Sequence, residues 1–275
     1  MRYKIIFFLI SIAAILQANA QQTDMVTANE ASNPALVRSR VVLDLDTYFF
    51  ENGSTFYAIK PTYLYSVKNQ RHQFGLSIPF FHNVFNGDYG GYENTSGIGD
   101  IKMTYMAVPV VSRNVLGFER LSTYIELSAP TGEEQLGRGS GVWMYKPAVI
   151  ATFHATPGVS FYPEVRYQFS KNSANSQSGS DGLPDADDPE EDGKVQTLTF
   201  ELPAVIVVEN WNGWFALHAQ YAHSFTEEVG FFYMRMDLGK MIGNKTSAAL
   251  NIQKFIAGQP RLDLIIQAKL QFFLR

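Results

Sequence analysis

Residues 261–275, RLDLIIQAKLQFFLR, constrain the fold more than any other stretch. Leu262, Leu264, Ile266, Ala268, Leu270, Phe272 and Leu274 are apolar. Asp263, Ile265, Gln267, Lys269, Gln271 and Phe273 stand between them. Period two places alternate side chains on opposite faces of a strand. A soluble edge strand this long, with one face apolar throughout, invites aggregation. In a membrane barrel the same pattern fits: apolar side chains meet lipid, polar ones face the lumen, and both edges are paired.

The pattern recurs along the chain. Residues 37–50 set Val41, Leu43, Leu45 and Phe49 against Arg40, Asp44, Asp46 and Tyr48. Residues 120–129 set Leu121, Thr123, Ile125 and Leu127 against Ser122, Tyr124, Glu126 and Ser128. Repetition at this spacing predicts an all-β fold, a transmembrane antiparallel β-barrel of about twelve strands over residues 37–275. Loop lengths support it. With both termini periplasmic, the connections 51–53, 83–97, 130–141, 170–193, 226–229 and 257–260 are extracellular and include the three longest. The opposite connections are short, apart from 112–119. Short periplasmic turns and long outer loops are the asymmetry expected of such barrels.

The N-terminus is expected to be removed. Arg2 and Lys4 precede an apolar run over residues 5–16, and Ala18-Asn19-Ala20 is an A-x-A cleavage site. The run is well short of the roughly 20 residues a membrane helix needs. Residues 1–20 therefore read as a signal peptide and 21–36 as a periplasmic lead-in without periodicity. Losing the leader removes two basic residues and leaves 20 against 26 acids, a formal charge of −6. That argues against a nucleic-acid partner. The absence of cysteine excludes disulfides, thiolate metal sites and thiol nucleophiles.

Candidate chemistry lies first on the inner face. Asp44, Asp46, Lys60, Asp100, Lys102, Glu126, Lys146, Glu164, Arg166, Glu201, Arg235, Asp237, Asp263 and Lys269 all fall on it. Glu126 and Lys146 stand on successive strands at positions that can pair across the ladder. Such a lining either packs a narrow lumen with ion pairs or forms a polar path for a small solute, and one set of residues can do both. Second, residues 178–194 are acidic, and Asp181, Asp185, Asp187 and Asp188 offer hard oxygen ligands suited to Ca²⁺. The D-G-L-P-D-A-D-D run resembles the aspartate-rich calcium repeats of thrombospondin-type modules. The alternative is a solvated loop of like charges. No other cofactor is expected. Third, barrel hydrolases turn a catalytic Ser and His outward near the rim. His223-Ser224 and His82-Asn83 lie near strand ends, but there is no G-x-S-x-G elbow and each of the five histidines stands alone.

Residues 96–169 carry S-G-I-G-D-I-K-M-T-Y, then E-L-S-A-P-T-G-E-E-Q-L-G-R-G-S-G-V-W-M-Y-K-P, then G-V-S-F-Y-P-E-V-R-Y-Q-F. This segment resembles the outer-membrane transporter family labelled for the meta-pathway of phenol degradation. The resemblance implies a signal-bearing barrel in the cell outer membrane that passes small, often aromatic or apolar, molecules, and it assigns no catalytic residues. The expected partners are outer-membrane lipid and a small solute. The alternatives are a non-conducting structural or surface-binding barrel acting through 83–97 and 170–193, and, more remotely, a lipid-modifying barrel enzyme.

Overall fold

The computed structural model describes residues 25–67, 71–86, 94–115, 118–172, 196–258 and 262–274. The expected leader, and the proposed calcium ligands Asp181, Asp185, Asp187 and Asp188, lie outside the described residues.

Twelve antiparallel strands close into a barrel. They are β1 (Arg40–Phe50), β2 (Thr55–Ser66), β3 (His72–Ser77, resuming as Phe80–Val84) and β4 (Thr95–Ile98, resuming as Ile101–Val115). Next come β5 (Phe118–Ala129), β6 (Val142–Thr156), β7 (Val159–Phe161, resuming as Glu164–Asn172) and β8 (Gln196–Val208). The last four are β9 (Gly213–Ser224), β10 (Val229–Met241), β11 (Thr246–Ala257) and β12 (Leu262–Phe273). Each pairs with its neighbours in sequence. The closing seam joins β1 to β12 from Arg40↔Phe273 to Phe50↔Leu262, so neither edge is left open.

Three strands are interrupted, and two of the breaks carry a proline that cannot donate to a ladder. Hydrogen bonds nonetheless cross each break. Gly99 N donates to Pro79 O at 2.8 Å, Tyr162 N to Pro203 O at 3.0 Å, and Ala151 N to Pro163 O at 3.0 Å. Two expected connections are shorter than their composition suggests. Strand β3 reaches Val84 and β4 starts at Thr95, inside the 83–97 stretch. Strand β4 also runs on to Val115 and β5 begins at Phe118, so the long connection expected over 112–119 does not exist. Continued pairing, with register shifts after Ala107 and Val111, extends both strands.

The faces follow the alternation. Leu45 is 41% exposed and the next residue, Asp46, is 4% exposed. Ile59, Phe74, Met103, Val165, Leu202, Met236 and Ile252 are also exposed, which places an apolar band around the outside. Asp263 departs from the expectation. A register shift between Phe49 and Phe50 falls opposite it, and one extra residue reverses the side to which a strand's side chains point. Asp263 consequently pairs with exposed Lys254 and leaves the inner face.

Residues 25–36, read as part of a lead-in, fold into the barrel. Thr27 caps a short helix, α1 (Ala28–Ser32): its hydroxyl accepts from Glu30 N at 3.2 Å, and the Glu30 carboxylate accepts from Thr27 N at 2.9 Å. Val26, Ala28, Ala31, Ala35 and Val37 pack against Met106, Val108, Ile150, Trp214, Met241 and Phe273 from the wall. The plug's carbonyls are held by wall side chains. Gln271 Nε2 donates to Ala31 O at 3.1 Å and Gln73 Nε2 to Arg38 O at 2.8 Å. This plug occupies the end of the lumen at which β1 starts and β12 finishes.

Candidate functional site

Above the plug the lumen is lined by ion pairs that run around much of the wall. At the closing seam Lys269 lies 3.8 Å from Asp44, and Gln267 donates to Asp46 at 2.8 Å. Asp46 is 2.6 Å from Lys60 on the next strand, and Tyr48 hydrogen-bonds both partners. Farther round, Glu126 takes Lys102 at 3.6 Å and Lys146 at 3.1 Å. Glu126 and Lys146 are direct cross-strand partners, as the alternation predicts.

On the opposite wall two carboxylates, Glu164 and Glu201, stand directly across from each other. Like charges so placed repel, and cations are interleaved. Arg166 pairs with Glu164, and Arg235 lies 3.4 Å from Glu201 and 3.1 Å from Asp237. His218 sits between, with Nδ1 2.8 Å from Glu201 and Nε2 3.0 Å from Asp237. The structure thus brings together the inner-face charges of β1, β2, β4–β6, β7–β10 and β12. Asp263 alone among those predicted falls outside. His218 carries no unit charge in a simple count, so charge alone does not flag it, although its place opposite Leu217 on β9 puts it inside.

The Gly-rich loop after β5 folds over the lumen, which no periodicity could indicate. Asp100 holds it. One carboxylate oxygen accepts from Gly132 N at 3.0 Å; the other accepts from Ser140 N at 2.8 Å and Ser140 Oγ at 2.7 Å. Gly132 and Gly139 are required by contact. A Cβ on Gly132 would lie 2.4 Å from the Arg138 carbonyl oxygen, and one on Gly139 would lie 2.7 Å from that of Gly132. The G-I-G-D and G-R-G-S-G segments are therefore two halves of one clasp. Replacing Asp100 with Ala removes three charge-assisted bonds, a loss on the order of 2–3 kcal/mol. Amide hydrogen exchange over residues 131–141 should speed up in that variant while the strand amides stay protected.

Two cavities flank this charged lining. One, of about 250 Å³, lies above the plug, between Ala31–Pro34 and the His218, Arg235 and Asp237 group. The other, of about 370 Å³, lies under the clasp loop and is lined by Lys60, Lys102, Lys146, Arg138 and an aromatic wall that includes Phe50, Phe56 and Phe81. Arg138 and these phenylalanines were not foreseen: the loop has no period, and an inward Phe is not polar.

The histidines are less isolated than the sequence suggests. His82 Nδ1 lies 2.7 Å from Ser96 Oγ on the outer face near the loop end. His154 lies 2.6 Å from Ser160 Oγ and 2.7 Å from Glu119. Ser160 is 1% exposed, which closes it to substrate. Among the described residues no carboxylate lies against His82. His223 and Ser224, adjacent in a strand, point to opposite faces.

No family model matches the chain, and no curated protein matches it. Solved structures share its architecture. The COG4313 outer membrane channel from Pseudomonas putida F1 superposes with a TM-score of 0.66 at 13% identity, covering 88% of this chain and 97% of that one. The NanC porin gives 0.55 at 10% identity, covering 84% and 100%. LpxR from Salmonella typhimurium gives 0.50 at 11% identity, covering 86% and 100%. At these identities the likeness is one of fold, and this chain is accordingly a closed twelve-stranded β-barrel of the kind found in outer-membrane proteins.

Proposed function

We propose that the protein is an outer-membrane channel for small solutes, with its long loops extracellular and its plug at the periplasmic end. The observation that carries this reading is the pair of cavities in the lumen, one above the plug and one under the clasp loop, both lined by charged side chains. A lumen built only as packing would be filled with side chains. Several inner polar atoms, among them Asp44 Oδ1, Arg166 Nε and Asn251 Oδ1, have no hydrogen-bond partner in the protein among the described residues. Buried polar groups in that position ordinarily bind water, which supports a hydrated path. The fold neighbours named as a channel and a porin agree with it. The resemblance of residues 96–169 extends it to aromatic or apolar cargo.

Liposomes carrying the purified chain should swell in isotonic glycine, arabinose or benzyl alcohol, faster than protein-free vesicles. No swelling with any of them would sink the conducting reading and leave a structural or surface-binding barrel. The same vesicles report on the hydrolase reading that the outward His82 and Ser96 pair raises: fatty acid released from their phospholipid would favour it, and none is expected.

A further inference from the structure

We infer that the 370 Å³ cavity under the clasp loop is a binding site for a small organic anion with an apolar body the size of one aromatic ring, a carboxylate above all. This rests on the channel reading and names its cargo. Four cations line the cavity: Lys60, Lys102, Lys146 and Arg138. The one carboxylate among its lining is Asp100, whose two oxygens are taken up by Gly132 and Ser140. The counter-charges stand behind the lysines. Glu126 is shared between Lys102 and Lys146, Asp46 holds Lys60, and Glu133 pairs with Arg138. Lys102 and Lys146 share a single carboxylate that lies outside the lining, so this lysine pair turns a positive charge to the cavity.

The other wall is apolar. Phe50 and Phe56 rings lie 4.6 Å apart, and Phe81 and Met144 complete the surface. Lys60 Nζ stands 5.0 Å from the centre of the Tyr48 ring, where cationic and aromatic walls meet. A carboxylate would complete the lysine pair while its ring lies against the phenylalanines, the pairing of apolar lining with a few placed polar groups typical of small-molecule sites. A cation of the same size meets like charge. A neutral analogue gains only the apolar contact.

Calorimetric titration of the intact barrel in detergent tests it, with benzoate, benzyl alcohol and benzylamine as probes. Benzoate should bind about tenfold or more tightly than benzyl alcohol, a difference of at least about 1.4 kcal/mol, and benzylamine should show no heat. Lys146→Gln should weaken benzoate while Lys146→Arg preserves it, and Lys254→Gln, on the outer face, should leave it unchanged. Equal binding of benzoate and benzyl alcohol, or no benzoate heat from a barrel that retains heat-modifiable gel mobility, overturns the inference. The unmodified chain alone supplies that comparison if a variant fails to fold. Swelling separates the two levels: vesicles that swell without any benzoate preference sink this inference only, whereas benzoate binding without swelling sinks the channel reading.

Discussion

Deleting residues 25–36 should leave a barrel that still folds and carries several-fold more current per channel in planar bilayers. The plug adds no strand to the wall. Closure depends on the β1 and β12 register from Arg40↔Phe273 to Phe50↔Leu262, all of it downstream of the deletion. What the deletion removes is Val26, Ala28, Ala31 and Ala35, the lumen side of a buried apolar cluster. Gln271 and Arg120, which now donate to the Ala31 and Ala35 carbonyls, would turn to water. The cost is the exposed wall of Met106, Val108 and Trp214, which favours a less stable but open barrel. A milder variant makes the same point. Ala35 is fully buried, so Ala35→Arg must expel the plug or distort it. Conductance equal to that of the intact chain in both variants would place the constriction elsewhere, at the clasp loop.

The second large effect is on the outer face. Ile266→Arg should destabilise the barrel by roughly 2–4 kcal/mol and Leu264→Arg, nearer the end of β12 and beside outward Lys254, by less, whereas Gln267→Arg should cost far less than Ile266→Arg. Leu264 pairs with Phe49 and Lys254, and Ile266 with Thr47 and Ile252, on the lipid side of the seam. Gln267 lies between them on the lumen side and bonds Asp46. An Arg at 267 would meet Asp46 and water. Urea unfolding in lipid vesicles measures the difference, and equal tolerance at 266 and 267 would mean that the faces are reversed.

Much of this was legible in the residues. The alternation of residues 261–275, repeated along residues 37–275, gives the lipid face, the number of strands and the seam. It also puts Glu126 and Lys146 on the inner face of successive strands, while the register that makes them direct partners is set across the long 130–141 connection by the pairing of the whole strands. The plug also left a local trace: Thr27-x-x-Glu30 is a capping box, and both of its hydrogen bonds form. Its destination left none, since a helix of five residues carries no sign of the surface that will cover it.

The sequence by itself thus determined the faces and the closure of the barrel, since a period of two is a property of neighbouring residues. It did not determine what fills the barrel. Asp263 left the lumen through a single bulge opposite Phe50. Asp100 met Ser140 across 40 positions of chain. Four cations came to share one cavity with Phe50, Phe56 and Phe81 because separate strands and a folded loop converge there. Those encounters are decided by curvature, register and loop path acting together, and so they exist only once the barrel has closed.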